Sequence, residues 1–212
     1  MPATSFAYRA LLRCGILLAP LFAHSRPKLR AGLAGRVGLL DRLTRWAAAH
    51  RDRSRPLLWM HAASVGEGLQ AEAVLRRLRE AHPAWQIAYT YFSPSAVELG
   101  RCQPADVADY LPWDRSREVT AALQALQPAA LVFSKLDLWP ELATRAAAQG
   151  VAIGITAATV SPFARRLRWP ARSLLSPGYR AVTAAGAVSD ADAARLARLG
   201  VPERRLEITG DP

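Results

Sequence analysis

Apolar positions along this chain repeatedly change period, and each change marks a boundary between strand and helix. Residues 57–61 (LLWMH) are a short, nearly continuous apolar run, the pattern of a strand buried on both faces. Ala71, Val74, Leu75 and Leu78 follow at i, i+3, i+4 and i+7, with Arg76, Arg77, Arg79 and Glu80 on the wet side, which predicts an amphipathic helix. Strand patterns recur at 86–91, 107–111, 129–133 and 151–155. Between them, Ser93-Pro94-Ser95 opens a short helix, and Val119, Ala122, Leu123 and Leu126 mark a longer one. A third helix runs from about Trp139 to Gln149 and stops at Gly150. A further strand falls within 181–188. Ser189 then caps a helix that carries Asp190 and Asp192 in its first turn and ends at Gly200, before a closing strand at 206–209.

Repeated strand–helix units predict an α/β fold, a doubly wound parallel sheet with helices on both faces. Ligands of such sheets bind beyond the carboxyl ends of the strands. The loops to watch are therefore 62–68, 92–95, 134–138 and 156–162. The body spans 56–212, and residues 1–55 precede it as an apolar helix and an arm. Thr209-Gly210-Asp211-Pro212 reads as a strand leaving for a second domain.

The N-terminal pattern is different. Cys14 to Ala23 is unbroken apolar sequence, extended backward by Ala10, Leu11 and Leu12 around Arg13. Ten to fourteen apolar residues fall short of the roughly 20 that span a bilayer. Three arrangements fit the run. It is a helix lying in the membrane interface, a helix docked on the protein's own core, or a signal peptide. The interfacial helix leads. Leu21 sits where a cleavage site wants a small residue, and the basic segment that follows resists translocation.

Charge reinforces that ranking. The 212 residues carry a formal net charge of +11, yet residues 1–60 hold eleven Lys/Arg against Asp41 and Asp52, a net +9. Such an arm suits an anionic surface, either phospholipid or nucleic acid. Nucleic acid is the weaker fit, because no exposed aromatics are interleaved with the cations. Cys14 and Cys102 have no partners at metal-ligand spacing, so neither a metal site nor a disulfide framework is predicted.

The stretch His61-Ala62-Ala63-Ser64-Val65-Gly66-Glu67-Gly68 carries the strongest hint of chemistry. It joins a strand to a helix, so backbone N–H groups there can face an anion, and its glycines permit close approach. Glu67 fits two roles: a first-turn capping residue, or a base that takes a proton from a sugar hydroxyl. There is no dinucleotide fingerprint and no Walker loop.

The run from Leu58 to Glu67 resembles the signature of the Kdo (3-deoxy-D-manno-octulosonic acid) transferase family, a strand followed by His-Ala-x-Ser-x-Gly-Glu. Three more blocks resemble that family in order: Tyr91-Phe92-Ser93-Pro94-Ser95, Ser134-Lys135-Leu136-Asp137-Leu138-Trp139-Pro140, and Gly186–Gly200 with Ile208-Thr209-Gly210-Asp211. Pro27–Arg36 is similar to its basic Gly-Arg segment. The resemblance implies a Rossmann-like acceptor domain, the N-terminal half of a GT-B glycosyltransferase, with a membrane-associating helix and a donor domain missing from these residues. It implies transfer of Kdo from CMP-Kdo to a lipid A precursor, with inversion, during lipopolysaccharide synthesis on the cytoplasmic face of the inner membrane.

In that reading Glu67 is the general base. Ser64, Gly66, Ser93, Ser95, Lys135 and Asp137 bind the acceptor. No metal or cofactor is expected, and CMP-Kdo sits mainly on the missing domain, which a separate chain could supply. The expected partners are thus a lipid A precursor, CMP-Kdo and an anionic membrane surface, not nucleic acid. The sequence departs from the family at Lys135, where relatives carry Glu. That lysine has three open roles: pairing with Asp137, meeting an acceptor phosphate, or snorkelling at the sheet edge. Relatives also carry Asn-Ala-Arg where this chain has Thr156–Ser161, and Arg165, Arg166 and Arg168 follow, as phosphate contacts or as a solvated face. A non-catalytic module that binds membrane or lipid A is the alternative reading.

Overall fold

The structure is a computed structural model that describes residues 4–211. Three helices come first: α1 (Phe6–Ala23), α2 (Pro27–Gly35) and α3 (Leu39–His50). The alternating unit then begins with β1 (Leu57–His61), α4 (Val65–Ala81), β2 (Gln86–Tyr91), α5 (Val97–Cys102), β3 (Val107–Tyr110) and α6 (Ser116–Leu126). It continues through β4 (Ala130–Ser134), α7 (Pro140–Ala148), β5 (Ala152–Ala158), α8 (Ala171–Arg180), β6 (Ala184–Ala187), α9 (Asp190–Leu199) and β7 (Leu206–Ile208).

All seven strands pair in parallel, in the order β3-β2-β1-β4-β5-β6-β7. This is the doubly wound α/β sheet that the alternation predicts. The direction of winding reverses between β1 and β4, and a crevice opens there at the strands' carboxyl ends. Every residue of β1 and β2 is buried, which explains their nearly continuous apolar runs.

Three helices fall where the sequence reading predicts none. In α3, Leu39 and Leu43 join the main core and the helix lies on α6. In α8, Pro177 and Gly178 mask the period. Gly178 is needed because a Cβ there would lie 2.5 Å from Leu138 and 2.9 Å from the Pro140 backbone. In α2, the nine residues carry no strong apolar stripe, and Pro27 starts the helix at its first turn.

The basic arm is folded onto the body, and much of its charge holds backbone. Arg36 is buried and donates to the carbonyls of Leu111, Gly32 and Phe92. Arg42 makes a two-pronged pair with Asp109, at 2.7 and 2.9 Å. Arg51 donates to the carbonyls of Leu126 and Gln127 at the end of α6. These arginines act as staples between the arm and the strand edges, a use of charge that a net-charge count does not distinguish from anion binding.

The first helix is longer than its apolar run. Arg9 and Arg13 interrupt the run but not the helix, so α1 has 18 residues and by length and composition could cross a membrane. Of these residues only Ala23 is fully buried, while Leu17 and Leu21 are 78% and 72% exposed. The helix is therefore not docked on the core through its apolar surface. Its first turn is held by polar contacts instead. Tyr8 Oη donates to Asp114 Oδ2 at 2.6 Å, and Arg9 Nε donates to Glu141 Oε2 at 3.0 Å, where Thr4 also donates.

Glu141 is 1% exposed and opens α7, and Ser116 and Arg145 occupy its other oxygen. Burial alone would raise its pKa, but four hydrogen bonds outweigh that and hold it at about 2. A carboxyl depressed in the folded state contributes stability above its unfolded pKa and loses it as pH falls through the folded one. The contribution is on the order of 3 kcal/mol at neutral pH, lost between about pH 5 and 2. Burial moves Asp114 the opposite way, up to about 6, so its ionisation costs stability as pH rises from about 4 to 6. In urea unfolding, Glu141→Gln should lower stability by about 3 kcal/mol at pH 7, and the deficit should shrink towards pH 3. A deficit independent of pH would refute the charge-based account.

Candidate functional site

The crevice between β1 and β4 is built from three loops. His61 ends β1 and is fully buried. Its Nε2 lies 3.1 Å from Asp137 Oδ2, in the loop after β4, and its Nδ1 faces the Thr90 carbonyl and hydroxyl on β2. Trp139 Nε1 donates to the same Asp137 oxygen at 3.1 Å. Burial raises the Asp137 pKa, but the bonds from His61 and Trp139 and the charge of Arg166 outweigh it and leave the carboxyl below its ordinary value. The ladder His61–Asp137–Trp139 thus locks the β4 loop onto the tip of β1. Lys135 makes no ion pair with Asp137 among the described residues; His61 takes that place.

Ser64 caps α4, and Glu67 sits three residues on. The Ser64 N–H and Oγ–H both donate to Glu67 Oε2 at 3.0 Å, which closes a reciprocal capping box. Among the described residues Glu67 Oε1 has no hydrogen-bond partner, and the residue is partly buried. The two roles read from the sequence are therefore compatible: one oxygen caps, and the other has no hydrogen-bond partner among the described residues. Ser134 Oγ donates to the Glu67 carbonyl at 3.1 Å, tying the first turn of α4 to the tip of β4.

The two glycines differ. A Cβ on Gly68 would meet Leu99 at 2.6 Å and the Tyr89 hydroxyl at 2.8 Å, so this residue lets α4 close on β2. Above Gly66 nothing lies within 4 Å, and that space is free for a ligand.

The loop after β2 joins the same rim. The N–H groups of Phe92 and Ser93 both donate to the Ala63 carbonyl. Ser93 and Ser95 pair through their hydroxyls at 2.7 Å. Lys135 has a left-handed backbone, φ +56°, as does Ala157 at +52°. Its N–H donates to the Thr156 carbonyl, so two strained residues meet where β4 and β5 end. Non-glycine residues in this region cost energy and gather at functional sites. The structure brings Ser64, Gly66, Glu67, Ser93, Ser95, Lys135 and Asp137 to one rim of the sheet.

Comparison with known proteins adds an independent line. Residues 33–212 match the family described as 3-Deoxy-D-manno-octulosonic-acid transferase (kdotransferase). The chain belongs to this family. It is 26% identical over 156 residues to the 3-deoxy-D-manno-octulosonic acid transferase of Haemophilus influenzae, covering 73% of this chain and 36% of that one. It is 28% identical to the transferase of Chlamydia pneumoniae, covering 96% of this chain and 47% of the relative. The chain thus spans a third to a half of the length of these transferases. Among solved structures, a UDP-GlcNAc 2-epimerase from Methanocaldococcus jannaschii superposes with a TM-score of 0.56 at 14% identity, covering 73% of this chain and 45% of that one. MurG of Acinetobacter baumannii gives 0.52 at 11%, covering 74% and 45%. Likeness at that identity shows the fold alone.

Several residues that shape this transferase-family rim carried no role in the sequence reading. Phe92 stacks on Trp139 at 5.1 Å between ring centroids and meets Trp113 edge-on at 5.8 Å. The Arg36 guanidinium lies 4.3, 4.8 and 4.6 Å from the ring centres of Phe92, Tyr110 and Trp113. Burial lowers its pKa to about 10. One cation thus braces the loops after β2 and β3, and Phe92 carries the brace to the loop after β4. His61 alone left a legible signal, a polar residue closing an apolar strand.

Proposed function

We propose that this chain is the acceptor-side half of an enzyme that transfers Kdo from CMP-Kdo to a lipid A precursor. The observation that carries the reading is Glu67, held through one oxygen at the crevice while the other has no partner among the described residues. A hydroxyl of the acceptor gives its proton to that free oxygen as it attacks the anomeric carbon of Kdo. The bond from that carbon to the CMP phosphate breaks on the opposite face, and CMP leaves with the bonding electrons. The configuration inverts.

Ser64 and the open space over Gly66 shape the acceptor site. Ser93 and Ser95 offer hydroxyls, and Lys135 supplies a cation for an acceptor phosphate. Asp137 has one oxygen engaged by His61 and Trp139 and presents the other. The donor sits mainly on a further domain. The exposed apolar side of α1 sets the protein on the cytoplasmic face of the inner membrane as a monotopic enzyme.

The test is transfer of labelled Kdo from CMP-Kdo to a lipid A precursor, by the chain alone and with the donor-side half of a relative. No transfer alone and transfer on reconstitution are expected. Acceptor binding without transfer in the reconstituted protein would point instead to a non-catalytic lipid A-binding module. Transfer by the isolated chain would overturn the half-enzyme reading.

A further inference from the structure

Away from α1, the loop between β5 and α8 exposes two large aromatic side chains, Phe163 at 79% and Trp169 at 81%. Arg165, Arg166 and Arg168 lie between them, and Arg172 follows as the second residue of α8. No acidic residue occurs from 142 to 189, although that stretch carries six arginines. Arg166 is held by the Tyr179 hydroxyl and the Leu136 carbonyl. The side chains of Arg165, Arg168 and Arg172 make no hydrogen bond or ion pair among the described residues.

This loop is not remote from the first helix. Tyr8, in the anchored turn of α1, lines one cleft together with Trp139, Arg165, Arg166 and Leu175. That cleft, about 520 Å³, opens at the carboxyl end of the sheet, beside the rim that holds Glu67.

We propose that residues 161–172 form a second membrane contact, in which Phe163 and Trp169 enter the headgroup region of an anionic bilayer and Arg165, Arg168 and Arg172 meet lipid phosphates. The indole of Trp, apolar with one N–H, settles at the membrane–water interface, a Phe ring beside it sinks into the acyl boundary, and free cations nearby are drawn to an anionic leaflet. A single interfacial helix leaves the body free to rotate about that helix's own axis. A second contact on the loop side of the cleft fixes the orientation, with the mouth of the cleft against the lipid. The inference does not depend on the chemistry proposed for Glu67.

Trp169 makes the test direct, because it is exposed while Trp59 is buried and Trp46, Trp85, Trp113 and Trp139 are partly covered. The full chain is mixed with vesicles of phosphatidylcholine and phosphatidylglycerol carrying brominated acyl chains. Salt is set so that the wild type is half bound. Bromine should quench the wild-type emission, and Trp169→Phe should lose that quenched component. Arg165→Gln with Arg168→Gln should weaken partition by tenfold or more, from about fivefold per arginine near a charged leaflet. The charge-matched control, Arg198→Gln with Arg204→Gln on exposed positions of α9 and the turn after it, should stay within about twofold. Equal losses from both arginine pairs would reduce the effect to bulk charge and overturn the proposal. Equal quenching of wild type and Trp169→Phe would also overturn it, as would unchanged partition in every variant, which would leave the patch to a protein partner.

Discussion

Glu67→Gln is expected to lower kcat for Kdo transfer about 10²–10⁴-fold in the reconstituted enzyme, the usual loss when a positioned base is removed. The thermal midpoint should not move. Glutamine at the third position of a capping box still accepts from the backbone N–H of the cap, so the turn 64–67 keeps its bonds. Only the ability to take a proton is lost. Glu67→Ala removes both functions and should in addition cost about 1 kcal/mol of stability. The pair of variants separates the cap from the base: an active Glu67→Gln enzyme would leave this residue with a structural role alone, and the transfer mechanism would need another proton acceptor.

The largest expected loss of stability lies at Arg36, far from where a sequence would direct attention. Arg36→Ala removes a buried cation from three backbone carbonyls and three aromatic faces. Hydrogen bonds from a charged donor contribute about 1.5–3 kcal/mol each, and a desolvated cation–π contact about 2. Relaxation of the loops reduces the sum, so a loss of roughly 3–5 kcal/mol is expected. At about 2–4 °C per kcal/mol for a domain of this size, the midpoint should fall by about 6–20 °C. Arg36→Lys should recover part of this, because an ammonium keeps the charge but cannot reach three carbonyls from one plane. Thermal unfolding of the three proteins checks it; an Arg36→Ala midpoint within about 2 °C of the wild type would show that the cage is incidental to stability.

Glu67 and Arg36 also mark the limits of what the linear pattern carries. The strand–turn–helix at 57–68 is legible because period and capping are local: an apolar run, then Ser64 and Glu67 at cap spacing. The loops 62–68 and 134–138 are legible as carboxyl-end loops of a parallel sheet, but right-handed crossovers do not fix the strand order, and that β1 and β4 are neighbours comes from the tertiary structure. Arg36 could not be placed. It stands in a basic stretch where each cation looks alike, and all its partners except the Gly32 carbonyl come from residues 56 to 77 positions away. The extent of α1 was understated for a related reason. The apolar run, even extended around Arg13, stops at Ala10, whereas Arg9 is drawn to Glu141 and the helix continues back to Phe6.

The sequence by itself determined the α/β architecture, the capped turn that presents Glu67 and the apolar character of the first helix, because these rest on periodicity and on contacts within a few residues. Tertiary structure alone decided which charges are staples and which stay free, that Asp137 bonds to His61 rather than to Lys135, and that the aromatic loop 161–172 lies near the anchored turn of α1. The physical reason is the same in each case. A hydrogen bond or a ring stack between distant segments depends on where folding carries both partners, and no local preference of either residue encodes that meeting.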